Sequence, residues 1–98
     1  MAIRIDLNNL EFQKQWFALG KEQRNAVLNC CSKMAGREWN EIYRDRGLRW
    51  EVIQGHEGST AGRVYSIRIT QKMRATVRRS NDFLEFLLLH PDHDSAYH

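Results

Sequence analysis

The hydrophobic period of this chain changes once, at Gly47, and that change limits the possible folds more than any other feature. Before it, apolar residues recur at helical spacing; after it, they alternate. Leu10, Phe12, Trp16, Phe17 and Leu19 follow a helical period up to Gly20, and Asn8 with Glu11 three residues on has the capping-box spacing. Val27, Cys30, Cys31 and Met34 mark one side of a second helix, from about Lys21 to a stop at Gly36. Trp39, Ile42 and Tyr43 share a face of a shorter third helix over 38–46, with Gly47 expected as its left-handed stop. The first two helices predict a hairpin. Ile3 to Ile5 alternates apolar and polar residues, which suits a short opening strand.

Beyond Gly47, Leu48, Trp50 and Val52 alternate, and 54–62 has the glycine and small polar residues of a loop. Residues 64–69, 73–78 and 83–89 read as strands, joined through Gln71-Lys72 and Ser80-Asn81-Asp82, which are short enough for antiparallel hairpins. The run Phe83-Leu84-Glu85-Phe86-Leu87-Leu88-Leu89 is almost wholly apolar and predicts an interior strand with both faces at least partly covered. Helices first and strands after predict an α+β fold, a helical hairpin packed on one face of an antiparallel sheet. A chain of 98 residues has room for one such domain, spanning 1–98. Trp16, Val27, Met34, Ile67, Ile69, Val77, Phe86 and Leu88 are the expected buried residues.

Strand alternation also sorts the charges. Tyr65, Ile67 and Ile69 point one way and Ser66, Arg68 and Thr70 the other; Met73, Ala75 and Val77 join the core, leaving Arg74, Thr76 and Arg78 opposite. The net charge is only +3, yet six cations (Arg63, Arg68, Lys72, Arg74, Arg78 and Arg79) fall between 63 and 79 without an acid. Guanidinium groups are planar and permanently charged, so such a cluster suits phosphate and points to a polyanionic partner. The chain then ends in His90-Pro91-Asp92-His93-Asp94-Ser95-Ala96-Tyr97-His98, which offers groups able to exchange protons and a ring able to stack. The tail's contiguous acids and histidines have no known metal-ligand spacing, so neither a metal nor another cofactor is expected.

Other classes are set aside on similar grounds. A 42% hydrophobic composition is that of a folded protein. No apolar run approaches the roughly 20 residues needed to cross a bilayer, and the start lacks the order of a signal peptide, so no membrane contact and a cytoplasmic location are expected. Cys30 and Cys31 are adjacent and read as packing residues. No glycine-rich phosphate loop, nucleophile elbow or zinc-binding pattern occurs.

Taken in order, Gly47-Leu48-Arg49-Trp50-Glu51-Val52-Ile53-Gln54-Gly55, Tyr65-Ser66-Ile67-Arg68-Ile69, Met73-Arg74-Ala75 and the leucine-rich strand with Asp92-His93-Asp94-Ser95-Ala96-Tyr97 resemble the successive motifs of RelE/ParE-type toxins. The resemblance covers about the last 50 residues. It implies a RelE-like fold with a twisted sheet, a cognate antitoxin partner, and membership of a type II toxin-antitoxin system. Nuclease members of that family cut messenger RNA on the ribosome without metal, with the 2′-hydroxyl as nucleophile, and so inhibit translation. Carried over by position, Arg68 and Arg74 hold or stabilise the scissile phosphate, and His93 and Tyr97 supply proton transfer or base stacking. Arg63, Lys72 and Arg78 are expected to contact RNA. Ser66 stands where relatives often have a basic residue, and Pro91-Asp92 where they often have Asp-His. The ParE branch offers the alternative, non-enzymatic inhibition of DNA gyrase; a non-toxic nucleic-acid-binding module of the same fold is a third reading.

Overall fold

The computed structural model describes residues 2–53 and 63–91. Its elements are β1 (Arg4–Asp6), α1 (Leu10–Ala18), α2 (Lys21–Met34), α3 (Trp39–Arg44), β2 (Glu51–Val52), β3 (Val64–Arg68), β4 (Arg74–Ser80) and β5 (Phe83–His90). The strands form one sheet in the order β1-β5-β4-β3-β2. The predicted α+β architecture therefore holds, with one correction to the sheet. β1 runs parallel to β5, while every other pair is antiparallel. A parallel pair needs a long crossover, and here all three helices lie in the connection. β5 sits between β1 and β4, the interior place that its apolar run requires.

The helices cover one face. Phe12 of α1 packs on Phe86 with ring centroids 5.1 Å apart, and Val27, Cys30, Cys31 and Met34 of α2 are buried with Ile67, Ala75 and Val77 of the sheet. The hairpin is tied by Trp16 Nε1, which donates to the Arg24 carbonyl at 3.2 Å. Trp16 and Ile69 are half-buried rather than fully enclosed, because they flank this core instead of standing in it.

Two helix ends differ from expectation. Asn9, not Asn8, caps α1: its side chain accepts from Phe12 N at 3.2 Å, while Asn8 N donates to Asp6 Oδ1. β1 pairing runs through Asp6, whose carboxylate makes its own turn, so the helix starts one residue later. Gly36, the expected end of α2, has φ +85, but Gly47, the expected left-handed stop, does not take a positive φ. Asp45 Oδ1 instead accepts from the amides of Gly47 and Leu48, and Arg49 takes the positive φ, 50°.

One irregularity sets the facing of the last strand. Val77 pairs with Phe86 but Thr76 pairs with Leu88, leaving Leu87 as an extra residue in β5. Such a bulge reverses side-chain parity beyond it. Leu84 and Phe86 point into the core, and after the bulge Leu89 does so (1% exposed), while Leu88 is turned out (39% exposed). The expected burial of Leu88 is thereby corrected. Leu89→Ala should cost about 2–5 kcal/mol and Leu88→Ala about 1 kcal/mol or less. Urea denaturation of the two variants measures the difference, and a larger loss for Leu88 would mean that no bulge forms.

Candidate functional site

Register places the basic side chains in rows across the face opposite the helices. Arg68 pairs with Arg74, and Arg74 with His90, so these three groups form one row over β3, β4 and β5. The neighbouring row is Glu51, Ser66, Thr76 and Leu88, and Arg78 with Glu85 lies in the next. Arg68 and Ile67 do point to opposite faces, since Ile67 is fully buried against the helices and Arg68 is half-buried on the other side. Directly opposed side chains in antiparallel strands stand ~4.5–5.5 Å apart at Cβ, and like charges there cost a few tenths to about 1 kcal/mol. The Arg68–Arg74 register places two like charges in that relation.

The face is not a uniformly solvated basic surface. Arg74 is 2% exposed, and Ser66 and Thr76 are also buried. The Ser66 hydroxyl is buried without a hydrogen-bond partner among the described residues. His90 Nε2 and Thr76 Oγ1 share a hydrogen bond of 2.8 Å. Burial holds the His90 imidazole below its usual pKa, so it is neutral at pH 7.

Other cations of the block are engaged elsewhere. Arg78 donates through Nε and a terminal nitrogen to the same Glu85 oxygen, at 3.0 and 2.8 Å. Arg79 falls on the helix side, its guanidinium carbon 4.4 Å from the Trp39 ring centroid and one nitrogen donating to Tyr43 Oη at 2.6 Å. Arg63 and Lys72 are exposed, Lys72 in the β3–β4 turn. The structure therefore brings Arg68 and Arg74 together, pairs Arg78 with an acid, and leaves Arg63 and Lys72 at the margins. His93 and Tyr97 lie outside the described residues.

The residue that sequence reading placed only at the strand end is His90. Simple alternation counted from Phe86 sends it into the core; the bulge sends it to the basic row. The backbone beside it is fixed by α1, because Leu89 N donates to Gln15 Oε1 at 2.7 Å and Gln15 Nε2 donates to Leu89 O at 2.9 Å. That amide takes the place of a strand where β1 has ended.

A cavity of about 340 Å³ is bounded by Asn29, Lys33, Arg37, Asp45 and Leu48, and Arg68 also lines it. Arg37 is bound to Asp45 at 3.0 Å, an ion pair that holds the Asp45 carboxyl below the usual range. Burial raises the Cys30 thiol to about 11 and the Cys31 thiol to about 12, so neither is a nucleophile near neutral pH. Among the described residues no group of three or more His, Cys, Asp or Glu could hold a metal ion.

The rows predict unequal roles in anion binding. Arg68→Gln should weaken binding to single-stranded polyuridylate and lower the log–log salt slope by about 0.7, the share of one phosphate contact. Arg78→Gln should change the slope less, its charge being already engaged by Glu85. Fluorescence titration at several salt concentrations measures both, and equal slopes for parent and Arg68→Gln would remove Arg68 from the binding surface.

No family model matches this sequence, and no curated protein matches it. Among solved structures, the chain is similar to a copper-bound mutant toxin from Helicobacter pylori, with a TM-score of 0.53, 15% identity, and coverage of 95% of this chain and 97% of that one. The two share a fold over nearly their whole lengths.

Proposed function

We propose that the chain is the toxin of a type II toxin-antitoxin system and acts as a metal-independent endonuclease on ribosome-bound messenger RNA. The observation that carries this reading is the in-register row of Arg68, Arg74 and His90. Opposed cations weaken an isolated sheet, and become favourable when a phosphate lies between or above them. In-line attack by a 2′-hydroxyl adds negative charge to the phosphoryl oxygens, which a fixed guanidinium pair stabilises more in the transition state than in the ground state. Likeness of fold to a protein described as a toxin supports the same reading, as do the sequence motifs.

In this reading Arg68 and Arg74 hold the scissile phosphate, Arg63 and Lys72 guide the flanking backbone, and His93 and Tyr97 supply proton transfer and stacking on the nucleotide. Arg78 acts indirectly, by keeping Glu85 from repelling the phosphate. A cognate antitoxin neutralises the protein until translation is to be arrested.

The test is a translation reaction with purified ribosomes, in which cut sites on the messenger are mapped by primer extension with and without chelator. Cleavage should persist in chelator and fall by about 10²-fold or more in Arg68→Ala and in His93→Ala, once each variant is shown to be folded. Loss of cleavage on chelation would point to a bound metal. An uncut messenger together with blocked supercoiling would replace this reading with gyrase inhibition, and no effect in either assay would leave a binding module.

A further inference from the structure

We infer that His90 is a further catalytic residue of this face, its imidazole accepting the proton of the attacking 2′-hydroxyl through Nδ1. The inference rests on the nuclease reading and adds to it a residue that the sequence motifs do not supply.

Geometry carries the argument. A general base must be fixed, in the right tautomer, and have its free nitrogen directed at the reaction. His90 is in register with Arg74, so the imidazole stands beside a cation that would hold the scissile phosphate. Nε2 is tied to Thr76 Oγ1 at 2.8 Å. When Nε2 carries the hydrogen and donates to that oxygen, the lone pair is on Nδ1, which makes no hydrogen bond to any described residue. The backbone is held on one side by the β4 ladder and, at the adjoining Leu89, by the two Gln15 hydrogen bonds. Position is thus set by three elements, β4, β5 and α1, and the hydrogen bond to Thr76 leaves Nδ1 free for the base role in the tautomer that carries its hydrogen on Nε2.

Burial favours the neutral ring. Of the charged groups on this face, Arg74 of β4 faces it directly and Arg68 of β3 lies beyond. The carboxylate of β5 on this face, Glu85, is bound to Arg78 and lies on the far side of the bulge. Glu51 of β2 is in the neighbouring row and three strands away, and α1 meets β5 here through the neutral Gln15 amide.

The step balances as follows. The 2′-oxygen forms a bond to the adjacent phosphorus as its proton passes to Nδ1; the bond from phosphorus to the 5′-oxygen breaks, its electron pair staying on that oxygen. The 5′-oxygen takes a proton from a second acid, the part given to His93, or from water. The products are a 2′,3′-cyclic phosphate and a 5′-hydroxyl, and His90 returns its proton to solvent.

Two measurements on the full chain test this. In the first, the single-turnover rate on ribosome-bound messenger is followed against pH. The parent should rise with pH through a limb below 6.5, as neutral His90 is the active form, and then level off. His90→Gln should lose that limb and about 10²-fold in rate near pH 7. Thr76→Val keeps the ring but releases Nε2, and should show a smaller loss with a displaced limb. A His90→Gln variant that cuts like the parent, with the same acid limb, overturns the proposal. In the second, histidine ring resonances are followed by NMR as a 2′-O-methyl oligonucleotide, which cannot be cut, is added. The His90 ring should shift, and a ring unmoved at saturation overturns the proposal while leaving the nuclease reading in place. A parent that never cuts messenger overturns both, a ring shift then marking binding alone.

Discussion

The bulge at Leu87 is the constraint on which the rest of the sheet depends. An inserted residue in β5 lets one strand serve two faces, with Leu84 and Phe86 packing under α1 on one side of it and Leu89 on the other. Without the reversal, His90 would enter the helix-covered core, where an imidazole lacks a partner and costs stability. With it, the ring meets Thr76 and the row of Arg68 and Arg74. The bulge is located by pairing on both edges. β1 holds β5 from Phe83 to Glu85 before it, and the Gln15 amide holds Leu89 after it, so the extra residue has only a short interval in which to sit.

Much of the fold was legible because period and alternation are strong in this sequence. The buried side of α2, at Val27, Cys30, Cys31 and Met34, came from helical spacing alone. The division of Ile67 from Arg68, and of Val77 from Arg78, came from the two-residue repeat of a strand. Failures arose where a local rule met a tertiary one. The leucines at 87, 88 and 89 are identical in chemistry, so no residue type in the run marks which of them is extra. The parallel pairing of β1 was equally hidden, since three residues carry no direction. Asn8 and Asn9 are both fit to cap a helix, and the choice between them was made by the β1 ladder ending at Asp6.

Charge counting was the least reliable guide to the site. Six cations in one block suggested a broad basic surface, whereas their partners divide them into separate classes. Arg79 belongs to an aromatic cluster in which Trp39, Tyr43, Trp50 and Tyr65 follow one another with centroids 4.6 to 6.0 Å apart. Arg78 belongs to Glu85. Sequence pattern does not reveal these contacts because the partners come from distant parts of the chain or from the far side of a hairpin. The row itself is narrower than the sequence implied: two guanidinium groups opposed across one hairpin, with an imidazole on the next strand.

The arrangement conflicts with the stability of the isolated domain in two ways, and both conflicts lie on the same face. Opposed like charges repel, and the Ser66 hydroxyl is buried without a hydrogen-bond partner among the described residues, at a typical cost of about 1–3 kcal/mol. Natural sequences are otherwise locally consistent, and departures concentrate where another demand competes with folding. The helix-covered face has one such term of its own, the Trp39 Nε1 hydrogen, buried without a hydrogen-bond partner among the described residues. Its ionisable thiols are neutral by burial, and the Arg37–Asp45 pair beside it is satisfied. A small domain stable by only ~5–15 kcal/mol in total can carry such terms only if they are few. The Ser66 hydroxyl lies in the row beside Arg68 and Arg74, and an anion placed over the two rows would accept from it. Ser66 would then contribute a hydrogen bond where a third cation would add charge, leaving Arg68 and Arg74 as the only fixed positive groups among the described residues of those two rows.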